Sequence, residues 1–212
     1  MNPAMAVRNE KLTAKVAANL KKRRFEAYVV KTGDEARELA LKLIPKGDTV
    51  SWGGSMTIRE IGLTDALKAS GDYNILDRDA VPDEERVEVM RQALLADTYV
   101  MSVNGLSEDG QLVNLDGGGN RVGAMIYGPK SVIVIAGVNK IVRTLDDAVT
   151  RARTVAAPIN AQRFGGVTGC HVNGTCENCL AADCICSVLA TVRLCKPTGR
   201  IKVILVQEEL GF

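Results

Sequence analysis

Asp48-Thr49-Val50-Ser51-Trp52-Gly53-Gly54-Ser55-Met56-Thr57 sets the architecture of this chain. Asp48 to Trp52 reads as a strand, Gly53, Gly54 and Ser55 turn the backbone, and a helix follows from about Thr57. Upstream, Phe25 to Val30 is aromatic and β-branched and reads as another strand. Between the two, Thr32 and Glu35 have capping-box spacing, Leu39 and Leu43 give a helix its buried stripe, and Pro45 stops it. Farther back, Leu12, Val16 and Leu20 recur every four residues among Lys and Arg. That spacing predicts an amphipathic helix over 8–24, whose stripe could pack on a second copy of the chain.

The alternation continues downstream. Tyr73 to Leu76 is a short strand, and Pro82 with Asp83, Glu84 and Glu85 opens a helix. Thr98 to Val103 and Ser131 to Ala136 are near-continuous apolar runs, as strands buried on both faces should be. Asp109-Gly110 separates two apolar stretches and predicts a hairpin ending at Leu115. Leu145 to Ala156 is the last clear helix and Ile201 to Val206 the last strand. Strands alternating with helices imply an α/β fold with a mostly parallel sheet flanked by helices. At 212 residues, one domain over 1–212 accommodates it, with a cysteine-rich insertion over 164–195.

Composition excludes several classes. Hydrophobic residues make up 46% and charged ones 25%, which is globular rather than disordered. The net charge of +2 is dispersed, so neither nucleic acid nor an anionic membrane is expected as partner. No apolar run approaches the roughly 20 residues of a membrane span, and residues 1–24 carry no signal-like stretch. A cytoplasmic protein is expected. All six cysteines fall between Cys170 and Cys195, a confinement that points to metal or redox chemistry rather than a disulfide framework.

Three regions could carry chemistry. The Gly53, Gly54, Ser55, Thr57 turn joins a buried strand to a helix, where an open α/β sheet offers main-chain N–H groups to an anion; a tight turn with Thr57 as N-cap fits the same residues. The polar stretch Asn104 to Gly110 and Asn114 to Arg121 holds three consecutive glycines, then Asn120 and Arg121, able to grip a carboxylate or phosphate. Within it Glu108 and Asp116 are candidate general acids or bases, although turn formation also explains them. Asn139 and Lys140 follow a strand's carboxyl end, suited to hold an anion. If these readings hold, Gly54, Arg121 and Lys140 share one concavity. Among the cysteines, the Cys176-Cys179 pair can chelate one metal, with Cys170 and either Cys184 or Cys186 completing four thiolates for zinc or an iron-sulfur cluster.

Taken together, the Ser51 to Thr57 turn, Glu108-Asp109-Gly110-Gln111-Leu112-Val113-Asn114, Gly119-Asn120-Arg121-Val122, Gly128-Pro129 and Val138-Asn139-Lys140-Ile141-Val142 resemble the LUD domain of lactate utilization proteins. The likeness runs from about residue 10 to Gly199-Arg200-Ile201-Lys202-Val203-Ile204-Leu205-Val206. It implies the sheet shared by phosphosugar isomerases, glucosamine-phosphate deaminases and coenzyme A transferases, with strand-end loops that bind a small anionic metabolite. It also implies a role beside partner subunits in oxidising L-lactate to pyruvate. In the cysteine-rich branch of this family the metal ligands would fall on Cys170, Cys176, Cys179 and Cys186. The repeated CxxCxxC runs of the larger lactate utilization subunit are missing, so one metal site is the most to expect. Two alternatives stand beside ligand binding: a redox-sensing or scaffold subunit without catalysis, and an isomerase or transferase on the same sheet.

Overall fold

The computed structural model describes residues 2–212. Helix α1 (Pro3–Lys22) starts where the Asn2 side chain accepts the Ala4 N–H, with proline in its first turn. Strand β1 (Glu26–Val30) and helix α2 (Gly33–Leu43) follow, the latter capped by Thr32 accepting from the Glu35 N–H. Then come β2 (Thr49–Trp52), the short helices α3 (Met56–Glu60) and α4 (Leu63–Ser70), β3 (Asn74–Leu76), α5 (Asp83–Gln92) and β4 (Thr98–Met101). The hairpin β5 (Gly105–Ser107) and β6 (Leu112–Asp116) leads into α6 (Asn120–Ile126) and β7 (Ser131–Gly137). After β8 (Ile141–Val142), helix α7 (Leu145–Arg151) runs through a π-helical turn (Ala152–Ala156) into α8 (Ala157–Ala161). Helix α9 (Gly169–Asn173), β9 (Val188–Val192) and β10 (Ile201–Val206) complete the order.

Six strands form one wholly parallel sheet in the order β1-β10-β7-β4-β2-β3, as the sequence implied. Alternate residues serve opposite faces. Val132, Val134, Val203 and Leu205 pack with Val16 and Leu20 of α1, whereas Ile133, Ile135, Ile204 and Val206 pack with Ala36 and Ala40 of α2 and Ile58 of α3. The α1 stripe is therefore spent on the chain's own sheet, which corrects the expectation that it faces a second copy.

A second, four-stranded sheet in the order β8-β5-β6-β9 was not expected. Strands β8 and β9 are short or half-exposed and give little apolar signal. The cysteine-rich segment 164–195 thus holds regular structure of its own, helix α9 and strand β9, the latter paired antiparallel with β6. Helix α7 lies so close on β5 that a methyl group at Gly105 would sit 2.6 Å from the Ala148 carbonyl oxygen. No helix among the described residues is long and apolar enough to cross a membrane.

Strand order reverses between β2 and β4, since the chain leaves β2 outward to β3 and leaves β4 inward to β7. A crevice opens where the carboxyl ends of such strands diverge.

Candidate functional site

A cavity of about 210 Å³ lies in that crevice. Gly54, Ser55 and Thr57 from the end of β2 line it, with Ser102 and Asn104 from the end of β4, Asp116 and Arg121 around the start of α6, and Lys140 beyond β7. Gly54, Arg121 and Lys140 thus border one concavity. The glycines at the turn make room for cations: a methyl at Gly53 would meet the Arg121 side chain at 3.4 Å, and one at Gly54 would meet the Arg78 guanidinium at 2.8 Å. Thr57 is not the N-cap expected of it. Ser55 holds that place without a side-chain bond, and α3 is only five residues long.

Arg121 is held from several sides. One terminal nitrogen donates to Asn104 Oδ1 at 3.0 Å and to the Leu115 carbonyl at 2.6 Å, and lies 3.5 Å from Asp116. Its Nε, like the Ser102 hydroxyl, is buried with no hydrogen-bond partner. Asp116 Oδ2 accepts the main-chain N–H groups of Arg121 and Val122, so this carboxylate caps α6 and aims Arg121. Lys140 is almost wholly buried and its Nζ donates to the Phe212 main-chain oxygen at 3.0 Å. Burial, then the Arg151 and Arg121 guanidiniums, push its ammonium down to about 7, against a smaller opposing pull from Glu60.

Several expected site residues lie elsewhere. Glu108 is outside the cavity lining and pairs with Lys15 of α1 at 2.5 Å, while its carbonyl accepts from Asn19. Asn139 clasps the segment after β10, donating to the Gly211 carbonyl and accepting from the Leu210 N–H. Gly53 stands behind the lining, against Tyr99 and Arg121.

The cysteine segment forms one wall. Arg163, Phe164 and Ile185 line the cavity, and Ile185 sits between Cys184 and Cys186, whose sulfurs are 3.0 Å apart. The Cys186 thiol is pushed up to about 12 by burial and by its bond to Cys184, which is lowered in return. Cys170 is raised by burial and by the fields of Cys176, Cys179 and Cys184. Cys195 stands apart, bonded to the Pro197 carbonyl and the Ile201 N–H. Both His171 ring nitrogens are engaged, with the Thr168 hydroxyl and the Phe164 carbonyl. Among the described residues, no three His, Cys, Asp or Glu side chains are arranged to hold a metal ion.

The LUD domain family model matches residues 13–206. The chain belongs to the LUD domain family. A solved DUF162 family protein from Deinococcus radiodurans is similar in fold, with a TM-score of 0.53 at 13% identity over 93% of this chain and 98% of that one. Also similar over part of the chain is eIF2B delta from Chaetomium thermophilum, with a TM-score of 0.34 at 20% identity, covering 53% of this chain and 49% of that one. No curated protein matches.

In this LUD domain the cavity gains two cations that sequence reading missed. Arg78 follows β3 with one nitrogen 3.3 Å from the Met90 sulfur. Arg163, just beyond α8, donates to the Gly54 carbonyl at 2.8 Å and to Asn160 at 3.0 Å. Neither belongs to a motif, and only the three-dimensional meeting of loops reveals them.

Proposed function

We propose that this LUD domain protein binds a small anionic metabolite, a carboxylate or a phosphorylated compound, in the switch-point cavity. The observation that carries this reading is charge: Arg78, Arg121, Lys140 and Arg163 border one hollow in which Asp116 is the one acidic side chain. The LUD domain family is associated with lactate utilization, and the ligand would serve L-lactate oxidation together with partner subunits. Gly54, Ser55, Thr57, Asn120, Arg121 and Lys140 make up the binding set, to which Arg78 and Arg163 are added. For an isomerase or transferase reaction on the same sheet, Asp116 is the carboxylate in reach of a ligand, and its freedom is limited by the two N–H groups it caps.

Melting curves test the reading. Anything that binds only the folded state stabilises it, by about 2.7 kcal/mol at a hundredfold excess over Kd. Lactate, pyruvate or a sugar phosphate should therefore raise the melting temperature, and Arg121→Met should abolish the rise. An unchanged curve with every one of these anions sinks the reading.

The sulfur chemistry supports a second role, an iron-sulfur or zinc site held by Cys170, Cys176, Cys179 and Cys186. Favouring it is the mutual influence of five thiols in one lobe, with Cys184 and Cys186 in contact. The donors are soft and suit either group, but no three yet surround a common point, so binding would draw the lobe inward. When bound, a cluster would supply one-electron redox capacity, whereas zinc would fix the lobe as a redox sensor or scaffold. Protein purified without oxygen should carry iron or zinc in stoichiometric amount by metal analysis. A metal-free, colourless product with six titratable thiols would remove this role.

A further inference from the structure

We infer that the cavity is built for a compact dianion, a phosphate monoester or a dicarboxylate, in preference to a monocarboxylate such as lactate or pyruvate. The inference rests on the anion-binding reading above and narrows it.

Counter-charge is the first ground. Among the lining side chains, three guanidiniums and one carboxylate give +2, and +3 whenever Lys140 is protonated. Nearby acids do not cancel it. Asp79 is 3.8 Å from Arg78 but gives its other oxygen to Arg59 at 2.6 Å. Arg163 bonds to neutral oxygens, those of Gly54 and Asn160. The cations also oppose each other: burial depresses Arg163 first, then the fields of Arg59 and Arg78. A single negative charge leaves repulsion in place, and two relieve it, because partly buried charges interact under a reduced dielectric.

Room and polar partners are the second ground. About 210 Å³ holds the equivalent of roughly seven waters at ~30 Å³ each. That admits a three- to five-carbon acid or phosphate. The Ser102 hydroxyl, 2% exposed and without a partner, borders the same space and suits a ligand oxygen.

Lys140 supplies a proton signature. It faces Arg151 from α7, Arg121 from α6, Glu60 from α3 and the Phe212 main-chain oxygen. A dianion set beside it favours the ammonium form, so binding above neutral pH takes up protons.

Calorimetry with glycerol 3-phosphate, L-malate, L-lactate and pyruvate at pH 8, each in two buffers of different ionisation enthalpy, tests this. At least one dianion should bind ten times more tightly than lactate and pyruvate, with net proton uptake that disappears in Lys140→Met. Arg163→Gln and Arg78→Gln should each weaken the dianion several-fold more than lactate. Tighter glycerol 3-phosphate identifies the phosphate monoester as the source, and tighter malate identifies the dicarboxylate. Lactate or pyruvate binding as tightly as either dianion overturns the inference and leaves anion binding intact. Silence from all four overturns both.

Discussion

Arg200→Ala will destabilise the protein by about 3–5 kcal/mol, read as a lowered urea midpoint. Arg200 is buried and spreads its guanidinium across three main-chain carbonyls: Nε to Pro129 at 3.0 Å, and the terminal nitrogens to Met125 at 2.8 Å and Ala124 at 2.9 Å. These acceptors lie in the last turn of α6 and the loop into β7, where helix carbonyls lack intrahelical donors. Truncation leaves all three dry and unpaired and opens a void. Arg200→Lys should recover only part of the loss, since one ammonium cannot reproduce the planar fork. The effect also reaches the cavity, because α6 carries Asn120 and Arg121 into its lining. A change below about 1 kcal/mol would contradict this account of the segment.

The second large effect is a pH dependence that one residue creates. Lys140 is held down to about 7, whereas the unfolded chain titrates it at 10.5. Between those values the unfolded state holds a proton that the folded state lacks, so stability rises with pH across this window. Below about 7 the burden is constant and at its largest, and above 10.5 it is gone. Against Lys140→Met, the wild type should gain roughly 1.4 kcal/mol per pH unit from about pH 7.5 to 9.5. At pH 7 the variant should be more stable by roughly 2 kcal/mol, the relief of burial being offset in part by the lost bond to Phe212. Tyr28 and Tyr99, each pushed up to about 12 by burial first of all, act oppositely above pH 10 and are avoided by that range. Urea midpoints of both proteins at pH 7, 8 and 9.5 give the comparison. Parallel curves would show that Lys140 is not buried as described.

Both effects centre on residues with contrasting visibility in the sequence. Lys140 was legible because it follows an apolar run at a strand's carboxyl end, where α/β sheets bind anions. Arg200 sits in the turn before β10, and no local pattern reveals that it reaches over to α6. The parallel sheet was legible for the reason that its strands are buried on both faces, as Ile133 and Val134 are, and read as unbroken apolar runs. Strand β9, with alternate residues exposed and cysteines just before it, reads as loop and gains its conformation from β6. Glu108 lies outside the cavity lining and meets the Lys15 ammonium, and an acidic residue beside an Asp-Gly turn looks the same in sequence whichever partner it has. Arg78 and Arg163 remained hidden because each joins the cavity from a loop far along the chain from Gly54.

The position of β10 between β1 and β7 bears on biosynthesis. Of the ten strands among the described residues it leaves the ribosome last, yet its neighbours were made first and seventh. Until it emerges, β1 has no strand neighbour, and β7 presents a long apolar margin with unpaired main-chain groups. Such margins invite pairing between nascent chains. Pulse-labelled fragments ending before Ile201 should accordingly be captured by holdase chaperones, and release should coincide with arrival of the strand that joins the two halves.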